Sequence, residues 1–157
     1  MRISRVTLSL VALSVAGLGL TVAAQQKPAA AAAPKVTVYK TSSCGCCRLW
    51  VDYMKRNGFD VQAMDVSSAD VRAVSKAAGL KDDDTSCHTA KIGSYVVEGH
   101  VPADDIKRML KEKPVIAGLS APGMPQGSPG MDQGSKEPYD VVAFTKDGKT
   151  TVFAKHK

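Results

Sequence analysis

The sequence predicts an α/β domain in which a small mixed β-sheet has helices on both faces. Segments with strand-like alternation and segments with helical periodicity follow one another along the chain. The first unit, strand–helix–strand, requires a parallel pair of strands joined by a right-handed crossover. Of the 157 residues, about 120 remain for this domain after a distinct N-terminal segment.

Residues 1–24 have the layout of a secretory signal peptide. Two arginines precede a largely apolar run over residues 6–22, and small residues end the segment. Residues 25–35 are rich in Ala and Pro and are predicted to form a disordered tether. We therefore expect an exported domain over residues 36–157. The alternative is an N-terminal anchor that is not cleaved.

The first half of the domain alternates two strands with two helices. Residues 36–40 are rich in β-branched types, which predicts a strand, and residues 44–57 have apolar side chains at helical spacing. Residues 59–66 alternate between apolar and polar types as far as Ala63, which predicts a half-buried strand. Ser67 and Ser68 are typical caps of a second helix, which Gly79 ends.

The second half is predicted to hold a hairpin, a helix, a long Gly/Pro loop and a C-terminal hairpin. A polar, acidic loop over residues 80–86 precedes these segments. The first hairpin covers residues 89–98, with its turn at Gly93-Ser94, and the helix covers residues 102–113. The Gly/Pro loop covers residues 118–138, and the C-terminal hairpin covers residues 139–154, with its turn at Asp147-Gly148. The complete order of elements is typical of a thioredoxin-like fold, in which redox cysteines follow the first strand.

Charge and aromatic content argue against a nucleic-acid partner. The net charge is +6, and loss of the two signal-peptide arginines leaves 19 basic against 15 acidic residues, or +4. The basic residues are scattered among acids and aromatic residues are only 5% of the chain, so no basic stripe with interleaved aromatics is present in the sequence.

Three of the four cysteines lie within four residues at the start of the first predicted helix. Cys44 and Cys47 have the spacing that puts two sulfur atoms on one face of a helical turn, and Cys46 lies between them. The N–H groups and the dipole of a helix N-terminus favour thiolates. Cys87 precedes the predicted third strand, in a segment that faces these cysteines in thioredoxin-like folds. We expect it to be the fourth member of the cluster.

Three interpretations of the cluster compete. Structural disulfides suit an exported protein with an even number of cysteines. A thiol-disulfide oxidoreductase would use Cys44 as the nucleophile and Cys47 as the resolving thiol. A metal site needs three or four sulfur ligands, and thiolates select Cu(I), Zn(II) or an iron–sulfur cluster. Because a dithiol enzyme has no need of Cys46, we favour the metal site.

Further candidate ligands are one histidine and two methionines. His88 follows Cys87 and is predicted either to bind the metal or to form an ordinary hydrogen bond. Met124 and Met131 lie in the Gly/Pro loop, where they would offer soft thioether ligands or anchor the loop to the domain. Met54, Met64 and Met109 are predicted to pack in the core, His100 is predicted to be a structural turn residue, and His156 is predicted to be uninvolved.

Five ordered motifs resemble a single family. They are Cys44-x-Cys46-Cys47 after a strand, Ser-Cys-His-Thr at residues 86–89, and residues 95–102, 118–125 and 127–131. The family is a domain of unknown function with a CxCC motif, and it includes periplasmic copper-resistance proteins of the CopG type. The resemblance covers residues 36–154. The acidic stretch Lys81-Asp82-Asp83-Asp84 departs from the family, whose members often have proline nearby.

The resemblance implies a thioredoxin-like fold, a periplasmic location and a multinuclear copper cluster bound by Cys44, Cys46, Cys47 and Cys87. We therefore predict a periplasmic copper-binding protein that holds Cu(I) and acts in copper resistance, and we favour copper over zinc. Expected partners are copper ions and other periplasmic copper-handling proteins, without nucleic acid and without a membrane after signal cleavage. A copper-linked oxidoreductase activity is a further hypothesis. The alternatives are a thioredoxin-like thiol-disulfide oxidoreductase and a passive copper chaperone.

Overall fold

The computed structural model describes residues 32–132 and 134–157. The predicted signal peptide, residues 1–24, and the predicted tether as far as residue 31 lie outside the described residues. Residues from Ala32 onward form one compact unit, whose first strand begins at Lys35. No helix within the described ranges is long and apolar enough to cross a membrane.

The described residues contain the predicted elements in the predicted order, together with one additional strand. The strands are β1 (Lys35–Lys40), β2 (Asp60–Asp65), β3 (His88–Ile92), β4 (Tyr95–Glu98), β5 (Gly118–Ser120), β6 (Tyr139–Phe144) and β7 (Thr150–His156). The helices are α1 (Gly45–Arg56), α2 (Ser68–Ala77) and α3 (Ala103–Glu112), and Asp82–Asp84 form a short 3₁₀ turn. Both predicted hairpins, β3–β4 and β6–β7, are present.

The strands form one mixed sheet in the order β2-β1-β3-β4-β5-β6-β7. β1 and β2 are parallel, as predicted for the first strand–helix–strand unit, and β4 and β5 are also parallel. The other neighbouring pairs are antiparallel. The mixed α/β class predicted from the sequence is therefore confirmed.

Helices cover both faces of this sheet. Successive residues of a strand point to opposite faces, and β3 illustrates the consequence. The ring of His88 lies against Trp50 of α1, with 4.6 Å between ring centroids, whereas the hydroxyl of Thr89 lies 3.4 Å from the carbonyl oxygen of Val71 in α2. Ile106 of α3 belongs to the same core cluster as Trp50. α1 and α3 thus share one face, and α2 covers the other.

The main core lies between the sheet and the helices α1 and α3. Met54 and Met109 are fully buried in it, as predicted. The prediction that Met64 is a core residue was wrong, since its side chain is 41% exposed. β2 is an edge strand of the sheet, and only Val61 among its residues is partly buried. The alternation of apolar and polar types ends at Ala63, so Met64 lies on the opposite face of the strand from Val61.

Strand β5 begins the segment that was predicted to be an irregular loop throughout, residues 118–138. Three residues are too few for a strand periodicity to be visible in a sequence. Gly118 also carries no strand signal, yet a Cβ atom at this position would overlap the carbonyl oxygen of Val96 in β4. The rest of the Gly/Pro loop, the described residues within 121–138, does lack helix and strand.

Candidate metal centre

Three cysteines meet at the start of α1, where β1 delivers the chain. Residues 41–43 form a turn, and Cys44 itself caps the helix. Its Sγ accepts the backbone N–H of Cys47 at 3.3 Å. A sulfur atom thus replaces the hydroxyl or carboxylate usual at this position. The cap thus pairs one of the N–H groups that a helix leaves without a partner at its N-terminus.

Cys44 and Cys47 are joined by a disulfide, with 5.3 Å between their Cα atoms. Cys46 and Cys87 form no disulfide among the described residues. The Sγ of Cys46 lies 3.6 Å from that of Cys44. The site in this oxidised form therefore has two thiols, and reduction of the disulfide would provide four.

Cys87 reaches the same place from a distant part of the chain. It directly precedes β3, which runs antiparallel beside β1 and so returns to the end of β1 at which α1 begins. Its Sγ lies 3.4 Å from the Sγ of Cys47 and 3.8 Å from that of Cys46. The sulfur atoms of the four cysteines lie within 4.8 Å of one another. The structure thus brings together the four residues that the sequence grouped into one site.

The protonation state of Cys87 is set mainly by its surroundings. Burial raises the pKa of its thiol to about 12, and the neighbouring Cys46 adds to the effect. In the metal-free protein Cys87 is therefore a thiol at neutral pH, and a bound metal ion must displace its proton. The thiolate-favouring effect expected of the helix N-terminus concerns the cysteines of α1, and Cys87 lies outside that helix.

Two buried imidazoles adjoin Cys87. Nδ1 of His88 lies 3.5 Å from the Sγ of Cys87, and Nε2 of His100 lies 3.2 Å from the same atom. Both side chains are fully buried, and burial lowers the pKa of both rings, that of His88 to about 3. Both rings are therefore neutral at pH 7. Cys87, His88 and His100 form a second group of atoms close enough to hold one metal ion.

The place of His100 in the site was not predicted, although the hairpin contained the signal. A two-residue turn at Gly93-Ser94 pairs Ile92 with Tyr95, and each step back along β3 is matched by one step forward along β4. Continuing this register beyond the strands puts His100 opposite Cys87. The interpretation of His100 as only a structural turn residue was therefore incomplete.

The two loop methionines differ in position. Met131 lines an open cavity of about 500 Å³ together with Cys46, Arg48 and Leu49, so its thioether is on the side of the cluster. Met124 is 52% exposed. The described residues thus associate Met131, rather than Met124, with the surroundings of the cysteines.

The Gly/Pro loop packs directly on the site. The carbonyl oxygen of Pro129 lies 2.8 Å from Nδ1 of His100. Gly130 has a φ of +87°, and a Cβ atom there would lie 2.9 Å from the backbone nitrogen of Trp50 and 3.0 Å from the carbonyl oxygen of Cys46. A side chain at this position would push the loop away from α1, which explains the glycine.

The fold and the site define a class of protein: a mixed α/β domain with four clustered cysteine sulfurs, a donor set suited to a soft metal ion. The model of a family described as a protein of unknown function, DUF411, matches residues 85–131. This segment contains Cys87, both buried histidines and most of the Gly/Pro loop. No curated protein sequence matches the chain.

Two solved structures are similar to this protein over almost their whole length. Form 1 of the copper resistance protein CopG is 39% identical, with a TM-score of 0.72, and the match covers 78% of this chain and 98% of that one. Form 2 has the same identity and TM-score, with coverage of 80% and 99%. The chain therefore belongs to the CopG-type copper-resistance family, which confirms the resemblance seen in its motifs.

Proposed function

We propose that this protein acts in copper resistance in the periplasm and holds Cu(I) through the thiolates of Cys44, Cys46, Cys47 and Cys87. The observation that carries the proposal is the packing of the four sulfur atoms within 4.8 Å of one another. Thiolates are soft ligands and suit Cu(I). Family membership supports copper over zinc, because the related solved structures are named copper resistance proteins.

Copper binding by all four cysteines requires reduction of the Cys44–Cys47 disulfide. A dithiol reductant supplies two electrons and two protons, the S–S bond breaks, and the reductant itself becomes a disulfide. Each cysteine that then binds Cu(I) releases its thiol proton to solvent. We therefore expect the oxidised protein to bind Cu(I) more weakly than the reduced protein.

The number of sulfur atoms bears on the number of copper ions. Four thiolates can serve more than one Cu(I) ion only if sulfur atoms bridge between metals. The short distances between Sγ atoms, 3.4 to 3.8 Å for the pairs Cys44–Cys46, Cys46–Cys87 and Cys47–Cys87, favour such bridging. We propose a multinuclear cluster, and a change of copper oxidation state at this cluster is a further hypothesis.

The test is an anaerobic Cu(I) titration of the reduced chain from residue 25, followed by metal analysis. We expect more than one copper ion per chain. Cys46→Ser should lower this number, whereas Ser42→Ala, an exposed residue of the preceding turn, should leave it unchanged. One copper ion or none in the reduced wild type would contradict the cluster.

A thiol-disulfide oxidoreductase is the second candidate function. The Cys44–Cys47 disulfide at the start of α1 favours it, because Cys44 is partly exposed whereas Cys47 is buried. An exposed first cysteine and a buried second one suit attack and resolution in disulfide exchange. Full disulfide-reductase activity of metal-free Cys46→Ser, without copper binding by the wild type, would favour this enzyme.

A passive copper chaperone would use the same ligands as a copper store. Transfer of copper to a periplasmic copper-handling protein, measured with the loaded chain as donor, would distinguish the two.

The thioredoxin-like assignment of the fold is also a proposal. It is supported by the order β2-β1-β3-β4, with a parallel first pair and antiparallel following pairs.

Export to the periplasm is proposed from the sequence of residues 1–24. The test is mass spectrometry of the protein recovered from the periplasm. Cleavage after residue 24 would agree with the proposed signal peptide, and a retained N-terminus would favour the uncleaved anchor.

The histidine and methionine ligands predicted from the sequence are proposed on different grounds. His88 Nδ1 is near Cys87, and Met131 is near Cys46. Met131→Leu should weaken Cu(I) binding if the thioether is a ligand. Met124→Leu is the matched control, because Met124 is the more exposed methionine of the same loop.

A further inference from the structure

A groove runs along the exposed side of α1, between this helix and the Gly/Pro loop. Two open cavities of about 500 and 520 Å³ form it, and they share Leu49 and Gly130 in their walls. The first cavity reaches Cys46 and Met131 beside the cluster. The second continues toward Arg56, the last residue of α1. We call this surface the α1–loop groove.

The length of the α1–loop groove matches a short extended segment of a polypeptide. From Cys46 to Arg56 the helix advances by ten residues, which at 1.5 Å per residue is about 15 Å. An extended chain covers about 3.3 Å per residue. A segment of about five residues therefore spans the groove from the cluster to the end of α1.

The charged groups of the groove are mainly positive. Arg48 lies at its cluster end, whereas Arg56 and Lys136 lie at its far end together with one acid, Asp132. Within the described residues, none of the three cations forms an ion pair. All three side chains are exposed. They are thus available to the carboxylates of another molecule, and such complementary charges select and orient a partner.

The groove also offers an apolar contact and access to sulfur. Leu49, where the two cavities meet, is 37% exposed, although Trp50 and Met54 of the same helix are fully buried. Cys46 and Met131 bring their sulfur atoms to one end of the groove. A segment that lies in the groove therefore places one of its own side chains beside the cluster.

We propose that the α1–loop groove binds an acidic segment of a copper-donating protein, and that this segment presents methionine thioethers to the cluster. The inference rests on the proposed function, since it assigns the surface through which copper arrives. Cu(I) passes from the donor thioethers to the cysteine thiolates, each cysteine that binds copper releases its thiol proton to solvent, and no electron is transferred. A thiolate is a charged soft ligand and a thioether a neutral one, so copper moves toward the cluster.

Two other occupants would come from this protein itself, and their chemistry fits less well. The predicted tether, residues 25–35, contains two lysines and no acidic residue. A second copy offers the acidic turn Asp82–Asp84, but the sulfur atom nearest to it in the sequence is that of Cys87, which belongs to the cluster. A donor from outside supplies both the carboxylates and the thioethers.

The probe for binding is a dye-labelled peptide that consists of aspartate and glutamate with one leucine and two methionines. Fluorescence anisotropy with the reduced chain from residue 25 should show binding that weakens as salt rises, because salt screens exposed charges. A peptide with lysine in place of every acid should not bind. Arg48→Gln and Arg56→Gln should each weaken binding about 2- to 5-fold, the range for an exposed ion pair. Lys55→Gln, which removes a charge from α1 outside the groove, should leave binding unchanged.

Copper delivery is measured with the same peptide after it has been loaded with Cu(I). Stopped-flow absorbance of the Cu(I)–thiolate bonds should show slower delivery to Arg56→Gln and unchanged delivery to Lys55→Gln. Equal binding of the acidic and the lysine peptides would overturn the proposal, and so would self-association of the chain that Arg56→Gln abolishes. A copper count lowered by Arg56→Gln in a titration without peptide would also overturn it, because the arginine would then support the cluster itself.

The same experiments separate this inference from the proposed function. If the reduced wild type takes up Cu(I) in the titration without peptide but does not bind the acidic peptide, the assignment of the α1–loop groove is wrong and the proposed function stands. If the reduced wild type takes up no copper from either source, the proposed function fails and this inference fails with it.

Discussion

Replacement of Gly130 by alanine tests how closely the Gly/Pro loop must approach the cluster. The added Cβ atom would lie 2.9 Å from the nitrogen of Trp50 and 3.0 Å from the carbonyl oxygen of Cys46. Both are backbone atoms of α1, which cannot rotate away as a side chain could. The loop must therefore move outward, and its hydrogen bond from His100 to Pro129 must lengthen.

The expected loss of stability has two parts. A positive φ costs an L-residue roughly 1–2 kcal/mol, and forcing an extra group into a packed contact adds about 1–3 kcal/mol. Gly58→Ala is the matched control, because Gly58 has a φ of +88° and nothing lies within 4 Å of its added Cβ. The control should show only the first part.

Urea unfolding of the reduced, metal-free chain measures this difference. We expect Gly130→Ala to be about 1–3 kcal/mol less stable than Gly58→Ala. We also expect it to bind Cu(I) more weakly, because the loop no longer packs on the helix that carries Cys46. Equal stabilities of the two variants, with unchanged copper affinity in both, would refute the reasoning that the loop must contact α1 to support the site.

Three further predictions concern the scaffold. Burial raises the pKa of Glu98 from its ordinary value of 4.5 to about 7, so the folded state holds this proton more tightly than the unfolded state. The free energy of unfolding should therefore fall by about 3 kcal/mol as the pH rises from 4.5 to 7. Urea unfolding against pH should show this decline in wild type and lack it in Glu98→Gln; identical profiles would contradict it. Gly118→Ala should lose the native far-UV circular dichroism, since its Cβ would overlap the Val96 carbonyl, and a native spectrum would oppose that explanation. Ser67→Ala should cost about 1 kcal/mol, because the Ser67 hydroxyl accepts the backbone N–H of Asp70 at 3.1 Å; thermal unfolding unchanged from wild type would count against this cap.

Sequence patterns predicted the order of the elements because each long segment has a clear periodicity and distinct ends. β5 was missed because three residues show no period, and its pairing depends on the fit of Gly118 against β4. The burial of Met64 was predicted wrongly because the alternation ends at Ala63, which puts Met64 on the face of the strand opposite Val61.

At the candidate site, the sequence predicted which cysteines come together because local spacing and one strand junction determine their positions. The contact of His100 with Cys87 depends on the hairpin register, which can be counted from the turn in the sequence. It also depends on the contact of His100 with Pro129 of the loop, which cannot be predicted from the sequence. Pro129 lies 29 residues from His100 in a segment without periodicity. Such a contact follows from tertiary packing alone.

The disulfide of the site closes a very short loop, because its two cysteines are three residues apart. By the loop-entropy relation such a bond constrains the unfolded chain by about 2 kcal/mol, whereas a bond between Cys47 and Cys87 would contribute about 4 kcal/mol. The chain thus confines its oxidation chemistry to a single helical turn. Electrons can enter or leave there with little effect on the integrity of the domain, so the same scaffold can serve both the oxidised and the reduced protein.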